Sequence, residues 1–98
     1  MTRHGILIPA DQLQTFCRTH RIRRLSLFGS ILRDDFAPDS DVDVLVEFET
    51  GHKPGLSFFA MEEELAQIIG RRVDLNTPEF LSPLFRDQMQ IEEQYASR

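Results

Sequence analysis

The first third of the chain predicts a helix followed by a strand. Apolar positions have the i, i+3, i+4, i+7 spacing of an amphipathic helix over about residues 10 to 21. These positions are Leu13, Phe16, Cys17 and His20. Residues 24 to 28 then alternate between polar and apolar, which predicts a half-buried strand. This strand ends at Gly29-Ser30, a pair that is typical of a tight turn.

The middle of the chain predicts two more strands around a second helix. Residues 31 to 40 are too polar to form a core, and alternation resumes from Val42 to Phe48. Apolar residues between positions 58 and 69 form one helical face, while residues 62 to 64, all Glu, are expected to lie largely in solvent. This helix should end near Gly70, and residues 71 to 75 predict a short strand.

A last helix is predicted from Ser82-Pro83 through Tyr95. Its apolar residues do not share one stripe, so one side of it is expected to dock a partner. The predicted order is helix, strand, strand, helix, strand, helix, which is an α+β arrangement. No repeat or linker interrupts it, and we expect a single domain over residues 1–98.

Composition narrows the classes of protein that this chain can represent. At 41% hydrophobic and 28% charged residues, with a mean hydropathy of -0.29, the chain is expected to be globular. It contains no apolar run of the roughly 20 residues that span a bilayer, and no complete signal peptide is recognisable, so a cytoplasmic location is expected. The single Cys17 is expected to be a buried, unreactive thiol.

The charge pattern argues against direct binding of nucleic acid. The net charge is -5, although arginines are concentrated before residue 34. Two interpretations of this cluster stay open: a solvated helix end, or a surface that faces a phosphate or an acidic partner. The cluster consists of Arg18, Arg21, Arg23 and Arg24.

Three aspartates are the candidate chemical groups. Side chains alternate across a strand, so Asp41 and Asp43 should project from one face while Val42 and Val44 are buried on the other. The same alternation in Arg-Arg-Val-Asp-Leu places Asp74 on the polar face of a later strand. Three such acids could hold two ions about 4 Å apart that clamp the attacking and leaving oxygens of an in-line displacement.

The Gly29-Ser30 turn could bind phosphate beside these acids. Glycine lets the backbone approach a ligand closely, and the amides at the start of a helical turn can donate hydrogen bonds to phosphate oxygens. A calcium-binding EF-hand loop is excluded, because Val44 and Thr50 stand where its Gly and Glu are required. A Walker-type P-loop is excluded because the only lysine, Lys53, lies in His-Lys-Pro.

The segment from Gly29-Ser30 through Asp41-Val-Asp43 to Phe48 resembles a minimal nucleotidyltransferase (MNT) of the DNA polymerase β superfamily. More narrowly, it resembles the antitoxin of type VII HEPN/MNT toxin–antitoxin pairs. The resemblance implies the nucleotidyltransferase fold, with a small mixed β-sheet of about three strands packed with helices on one side. It becomes loose after Pro78.

The resemblance also implies roles for individual residues. Gly29 and Ser30 would hold the nucleotide phosphates, and Asp41 and Asp43 would bind two Mg²⁺ ions. The third acid, Asp74, would complete one ion site and help to activate the attacking hydroxyl. We expect Arg33 to support the phosphates or, as an open alternative, to fix the loop by pairing with Asp34 or Asp39.

The implied reaction is transfer of AMP from ATP to a tyrosine hydroxyl of a HEPN ribonuclease toxin, which would inactivate the toxin. A hetero-oligomer with that toxin is therefore expected. Two alternatives stay open: an antitoxin that masks the toxin by binding alone, and nucleotidyl transfer to RNA or to a small molecule.

Overall fold

In the computed structural model, which describes residues 2–3, 6–34, 36–80 and 90–97, two helices pack on one face of a mixed β-sheet. A two-residue hairpin, β1 (Thr2–Arg3) and β2 (Ile6–Leu7), precedes the helix α1 (Ala10–Thr19). The sheet contains β3 (Ile22–Phe28), β4 (Val42–Phe48), β5 (Val73–Asn76) and β6 (Ile91–Ala96), and the helix α2 (Ser57–Ile69) connects β4 to β5. Short 3₁₀ helices cover Gly29–Leu32 and Pro78–Phe80.

The strand order is β5-β4-β3-β6. Strand β5 runs parallel to β4, whereas β3 is antiparallel to both of its neighbours. A parallel pair needs a crossover connection, and α2 supplies it. The mixed sheet with helices on one side confirms the predicted fold class. No helix in the described ranges is long and apolar enough to cross a membrane.

The first two predicted helices are confirmed, and their apolar stripes face the sheet. Helix α1 buries Leu13, Phe16 and Cys17, and burial raises the pKa of the Cys17 thiol to about 12, so this thiol stays protonated and unreactive. His20, the residue that caps its C-terminus, packs at a tilt against Phe16, with ring centroids 4.7 Å apart, and its Nε2 lies 3.2 Å from a carboxylate oxygen of Glu64. This histidine is therefore a packing residue, as its place on the apolar stripe predicts.

Helix α2 ends where the sequence predicts, because Gly70 adopts the left-handed conformation (φ 81°) that terminates helices. Its buried stripe consists of Met61, Leu65 and Ile69. One expectation for this helix is only partly right. Glu62 is half-buried rather than solvated, and its Oε2 accepts a hydrogen bond of 2.8 Å from the backbone N–H of Leu75.

Strand β3 is more deeply buried than its alternating pattern predicts. Leu25 and Leu27 join the core beneath the helices, but Ser26 and Phe28 on the opposite face are buried as well. The prediction of a half-buried strand is wrong here because β3 is a central strand, so residues of both β4 and β6 flank Ser26 and Phe28 on this face. Position within a sheet overrides local polarity.

The predicted last helix is wrong where the structure describes it. Residues 81–89 lie outside the described residues, but Ile91–Ala96 is a strand that pairs antiparallel with β3. Four strands therefore form the main described sheet instead of about three. Glu and Gln favour helices in isolation, whereas the edge of β3 that faces away from β4 offers this segment a ladder of backbone hydrogen bonds. The partner-docking helical face expected there is not present in residues 91–96.

The arginine cluster forms ion pairs within the molecule. Arg24 bridges the two neighbours of β3, with Nε 3.1 Å from Glu93 on β6 and Nη1 3.5 Å from Glu47 on β4. Arg23 contacts Glu47 at 3.3 Å, and Arg21 contacts Glu49 at 3.5 Å. These three arginines support strand pairing, an outcome that neither sequence interpretation anticipates.

Candidate functional site

Gly29 and Ser30 begin a 3₁₀ turn at the end of β3, directly beside the first strand acid. Gly29 has φ 76°, a conformation that side chains disfavour. A Cβ placed on Gly29 would overlap Oδ2 of Asp43 and lie 3.1 Å from its Cγ. The Gly29 backbone therefore contacts the Asp43 carboxylate directly, and the close approach depends on the missing side chain.

Strand register brings Asp43 and Asp74 side by side. Asp43 pairs with Phe28 on β3 and with Asp74 on β5, and Asp41 lies just before β4 begins. Val42 and Val44 are completely buried on the helix side, so the alternation predicted from the sequence is confirmed for Asp43. The Gly-Ser turn, Asp43 and Asp74 thus follow one another across three adjacent strands.

The proximity of these acids affects the ionisation of Asp43. Burial raises the pKa of Asp43 above its ordinary value of 3.8, and the negative charges of Asp74 and Asp41 raise it further. The guanidinium of Arg33 opposes this rise. Arg33 therefore lies near enough to Asp43 to favour its ionised form. Both expected roles of Arg33, support of the phosphates and fixing of the loop, stay predictions.

Two arginines that the sequence did not single out hold the loop before β4. Arg71 Nη2 donates hydrogen bonds to the carbonyl oxygens of Pro38 and Ser40, both at 2.8 Å, and to that of Ala37 at 3.3 Å. Its guanidinium also lies 5.0 Å from the ring centroid of Phe36. Arg71 thereby fixes the segment that leads into Asp41.

Arg72 contacts the acidic site itself. Its Nε lies 3.0 Å from Oδ1 of Asp41, its Nη2 donates to the carbonyl of Asp39 at 3.1 Å, and its own carbonyl accepts the N–H of Val42 at 2.9 Å. The sequence signal that could have identified Arg71 and Arg72 is the Gly-Arg-Arg run immediately before Val73-Asp74. Sequence reasoning missed it because the loop that both arginines bind lies more than 30 positions earlier.

The three aspartates have the donor chemistry of a divalent-cation site, but their side chains are not gathered into one in this structure. In the described part of the chain, no three acidic, histidine or cysteine side chains already form a metal site. Asp41 is instead paired with Arg72. Hard carboxylate oxygens on Asp41, Asp43 and Asp74 suit Mg²⁺, and a cation among them would relieve the repulsion that raises the pKa of Asp43.

Comparison with known proteins places the chain in a family. A family model described as a nucleotidyltransferase domain matches residues 10–96. The protein adenylyltransferase MntA of Thermococcus cleftensis is 46% identical over 78 residues, which covers 70% of this chain and 77% of that protein. The chain belongs to the nucleotidyltransferase domain family, and the MntA protein adenylyltransferases are among its relatives.

Solved structures agree with this assignment. A structure described as that of a minimal nucleotidyltransferase is 33% identical with a TM-score of 0.66, and the match covers 81% of this chain and 80% of that one. The MNT antitoxin complex with the tri-AMPylated HEPN toxin of Shewanella oneidensis gives a TM-score of 0.63, covering 90% of this chain and 70% of that one. At 18% identity, the second match shows a shared fold.

Gly29→Ala should displace Asp43 and weaken nucleotide binding, since the new methyl group overlaps the carboxylate. Gly51→Ala is the matched control, because Gly51 has a similar φ of 82° but open space around it. Both changes should cost about 1–2 kcal/mol of backbone strain, and only Gly29→Ala should also reduce binding in a titration with a fluorescent ATP analogue. Equal loss of binding in both variants would contradict the argument.

Arg71→Gln should loosen the loop over residues 36–40, because it removes the charged donor that three carbonyl oxygens share. We expect a loss of about 1–3 kcal/mol in the free energy of unfolding and faster hydrogen exchange at the Ser40 amide, which donates to Ala37. Arg72→Gln changes the same charge and should affect this amide less. Unchanged exchange in Arg71→Gln would refute the role.

Asp43→Asn should raise the thermal unfolding midpoint at pH 7. The raised folded-state pKa means that ionised Asp43 destabilises the fold; this penalty is absent below about pH 3.8 and is complete above the folded-state pKa. The difference between the variant and the wild type should therefore shrink as the pH falls, and Mg²⁺ should stabilise only the wild type strongly. Glu63→Gln, on the exposed side of α2, should show neither effect.

Proposed function

We propose that this chain transfers AMP from ATP to a tyrosine hydroxyl of a HEPN ribonuclease toxin and thereby inactivates the toxin. The observation that carries the proposal is the register of β4 and β5, which pairs Asp43 with Asp74 beside the Gly29-Ser30 turn. A relative of 46% identity is a protein adenylyltransferase, and the Shewanella complex contains an AMPylated toxin, which supports the same acceptor class. The chain would act as the antitoxin in a hetero-oligomer.

Each residue near the turn has a proposed task. Backbone amides of Gly29 and Ser30 would donate to the β- and γ-phosphate oxygens, and Arg33 would neutralise part of their charge. Asp41, Asp43 and Asp74 would hold two Mg²⁺ ions, which supply charge stabilisation for an in-line displacement when bound. Asp41 would exchange its contact with Arg72 for this role.

The reaction itself would be one substitution at phosphorus. The tyrosine oxygen attacks the α-phosphorus, a new oxygen–phosphorus bond forms, and the bond to the β-phosphate oxygen breaks to release pyrophosphate. Asp74, which is exposed on the edge strand β5, would accept the hydroxyl proton and pass it to solvent. The cytoplasm, where ATP and Mg²⁺ are plentiful, is the proposed compartment.

Transfer can be measured with α-labelled ATP, Mg²⁺ and a HEPN-type protein whose gene is found next to this chain's gene. We expect label on the HEPN protein with the wild type, and a loss of about 100-fold or more with Asp74→Asn, because the general base and an ion ligand are lost together. Glu63→Gln should retain full transfer. Absence of transfer by the wild type would refute the proposal.

Two alternative functions, neutralisation of the toxin by binding alone and nucleotidyl transfer to another acceptor, predict different results with the same proteins. If Asp43→Asn still protects cells from the toxin, the chain neutralises by binding alone. If label moves instead onto RNA or a small molecule, the enzyme class stands and the proposed acceptor is wrong.

A further inference from the structure

A cavity of about 700 Å³ opens at the edge of β5, directly beside Asp74. We call it the Phe59 pocket; its main lining residues are Phe48, Phe58, Phe59, Glu62, Asp74 and Thr77. It is large enough for a small ligand or for one aromatic side chain with its neighbours. Neither the family assignment nor the proposed roles of the acids account for it.

The walls of the Phe59 pocket are fixed by contacts between α2 and β5. Glu62 on α2 accepts the Leu75 N–H at 2.8 Å, which ties the helix to the strand beside Asp74. Phe58 and Phe59 meet edge to face, with centroids 6.3 Å apart. Phe59 is nonetheless 69% exposed, one of the few large apolar side chains so exposed in the described residues. An exposed aromatic residue at the mouth of a cavity is typical of a binding site.

The position of the pocket identifies which reactant it would face. In an in-line displacement, the attacking and leaving oxygens lie on opposite sides of the phosphorus. The Gly29-Ser30 turn lies at the β3 side of Asp43, whereas the Phe59 pocket lies beyond Asp74 at the β5 edge. If pyrophosphate leaves toward the turn, the attacking group must arrive from the side of the pocket.

The charge of the pocket agrees with a neutral occupant. Three acidic residues, Glu62, Asp74 and Glu79, are among the lining residues, against the single cation of Lys53 and the imidazole of His52. This balance disfavours a triphosphate, while the three phenylalanines provide flat apolar surface for a ring.

We infer that the Phe59 pocket is the acceptor site, which binds the tyrosine side chain of the partner protein and presents its hydroxyl to Asp74. This inference rests on the proposed function. The phenol ring packs against Phe58 and Phe59, and its oxygen reaches the acid that takes the proton as the oxygen–phosphorus bond forms and pyrophosphate leaves. Phe59 is therefore a positioning residue for the acceptor and has no part in holding ATP.

Binding can be tested without any transfer reaction by chemical-shift mapping on the whole chain. N-acetyl-tyrosinamide at millimolar concentration should shift the amides of Phe58, Phe59 and Thr77, and Phe59→Ala should weaken this binding about tenfold. N-acetyl-serinamide should give no such shifts. If adenosine shifts these amides instead, the pocket binds the nucleotide base and the inference is overturned; if no probe shifts them, it is overturned as well.

Steady-state transfer to the HEPN partner gives the second test. Phe59→Ala should raise KM for the partner about tenfold and leave KM for ATP within about twofold of the wild type. Gln67→Ala, an exposed position on α2 outside the pocket lining, is the control and should change neither constant. A rise in KM for ATP, or no change in either constant, would overturn the inference even when the wild type transfers AMP normally.

Discussion

The parallel pairing of β4 with β5 is the constraint on which the candidate site depends. Val42 pairs with Val73 and Val44 with Leu75, and all four side chains are buried beneath the helices. Because side chains alternate, burial of these residues forces Asp43 and Asp74 together on the opposite face. A slip of one residue in β5 would bury Asp74 and expose Val73, so the hydrophobic core protects the register of the acids.

This arrangement stores electrostatic repulsion in the folded state. Asp43 is half-buried beside two like charges, and its pKa is raised as a result. Arg33 and Arg72 offset part of the repulsion, the first through its effect on Asp43 and the second through its 3.0 Å contact with Asp41. A cation bound among the three acids would offset the rest of this repulsion. The repulsion that destabilises the fold would therefore also favour the binding of a divalent ion.

Two consecutive residues, Arg71 and Arg72, connect strand β5 to the loop that precedes strand β4. They begin the approach to β5 but contact the loop over residues 36–40 and Asp41. The position of β5, which carries Asp74, thus sets the position of the loop that leads into β4, which carries Asp43. The Phe59 pocket is coupled to the same strand through Glu62 and Leu75, so its distance from Asp74 is also set by β5.

The sequence by itself determined the two helices, strands β3 to β5, and the placement of Gly29, Asp41, Asp43 and Asp74 at strand ends, because these follow from local periodicity and turn chemistry. It failed for Ile91–Ala96, which is a strand only because β3 has an edge to pair with. It also could not predict the contacts of Arg71, the half-burial of Glu62 or the cavity beside Phe59. These features join segments that are distant along the chain, and local periodicity contains no information about which distant segments meet, so only the tertiary structure decided them.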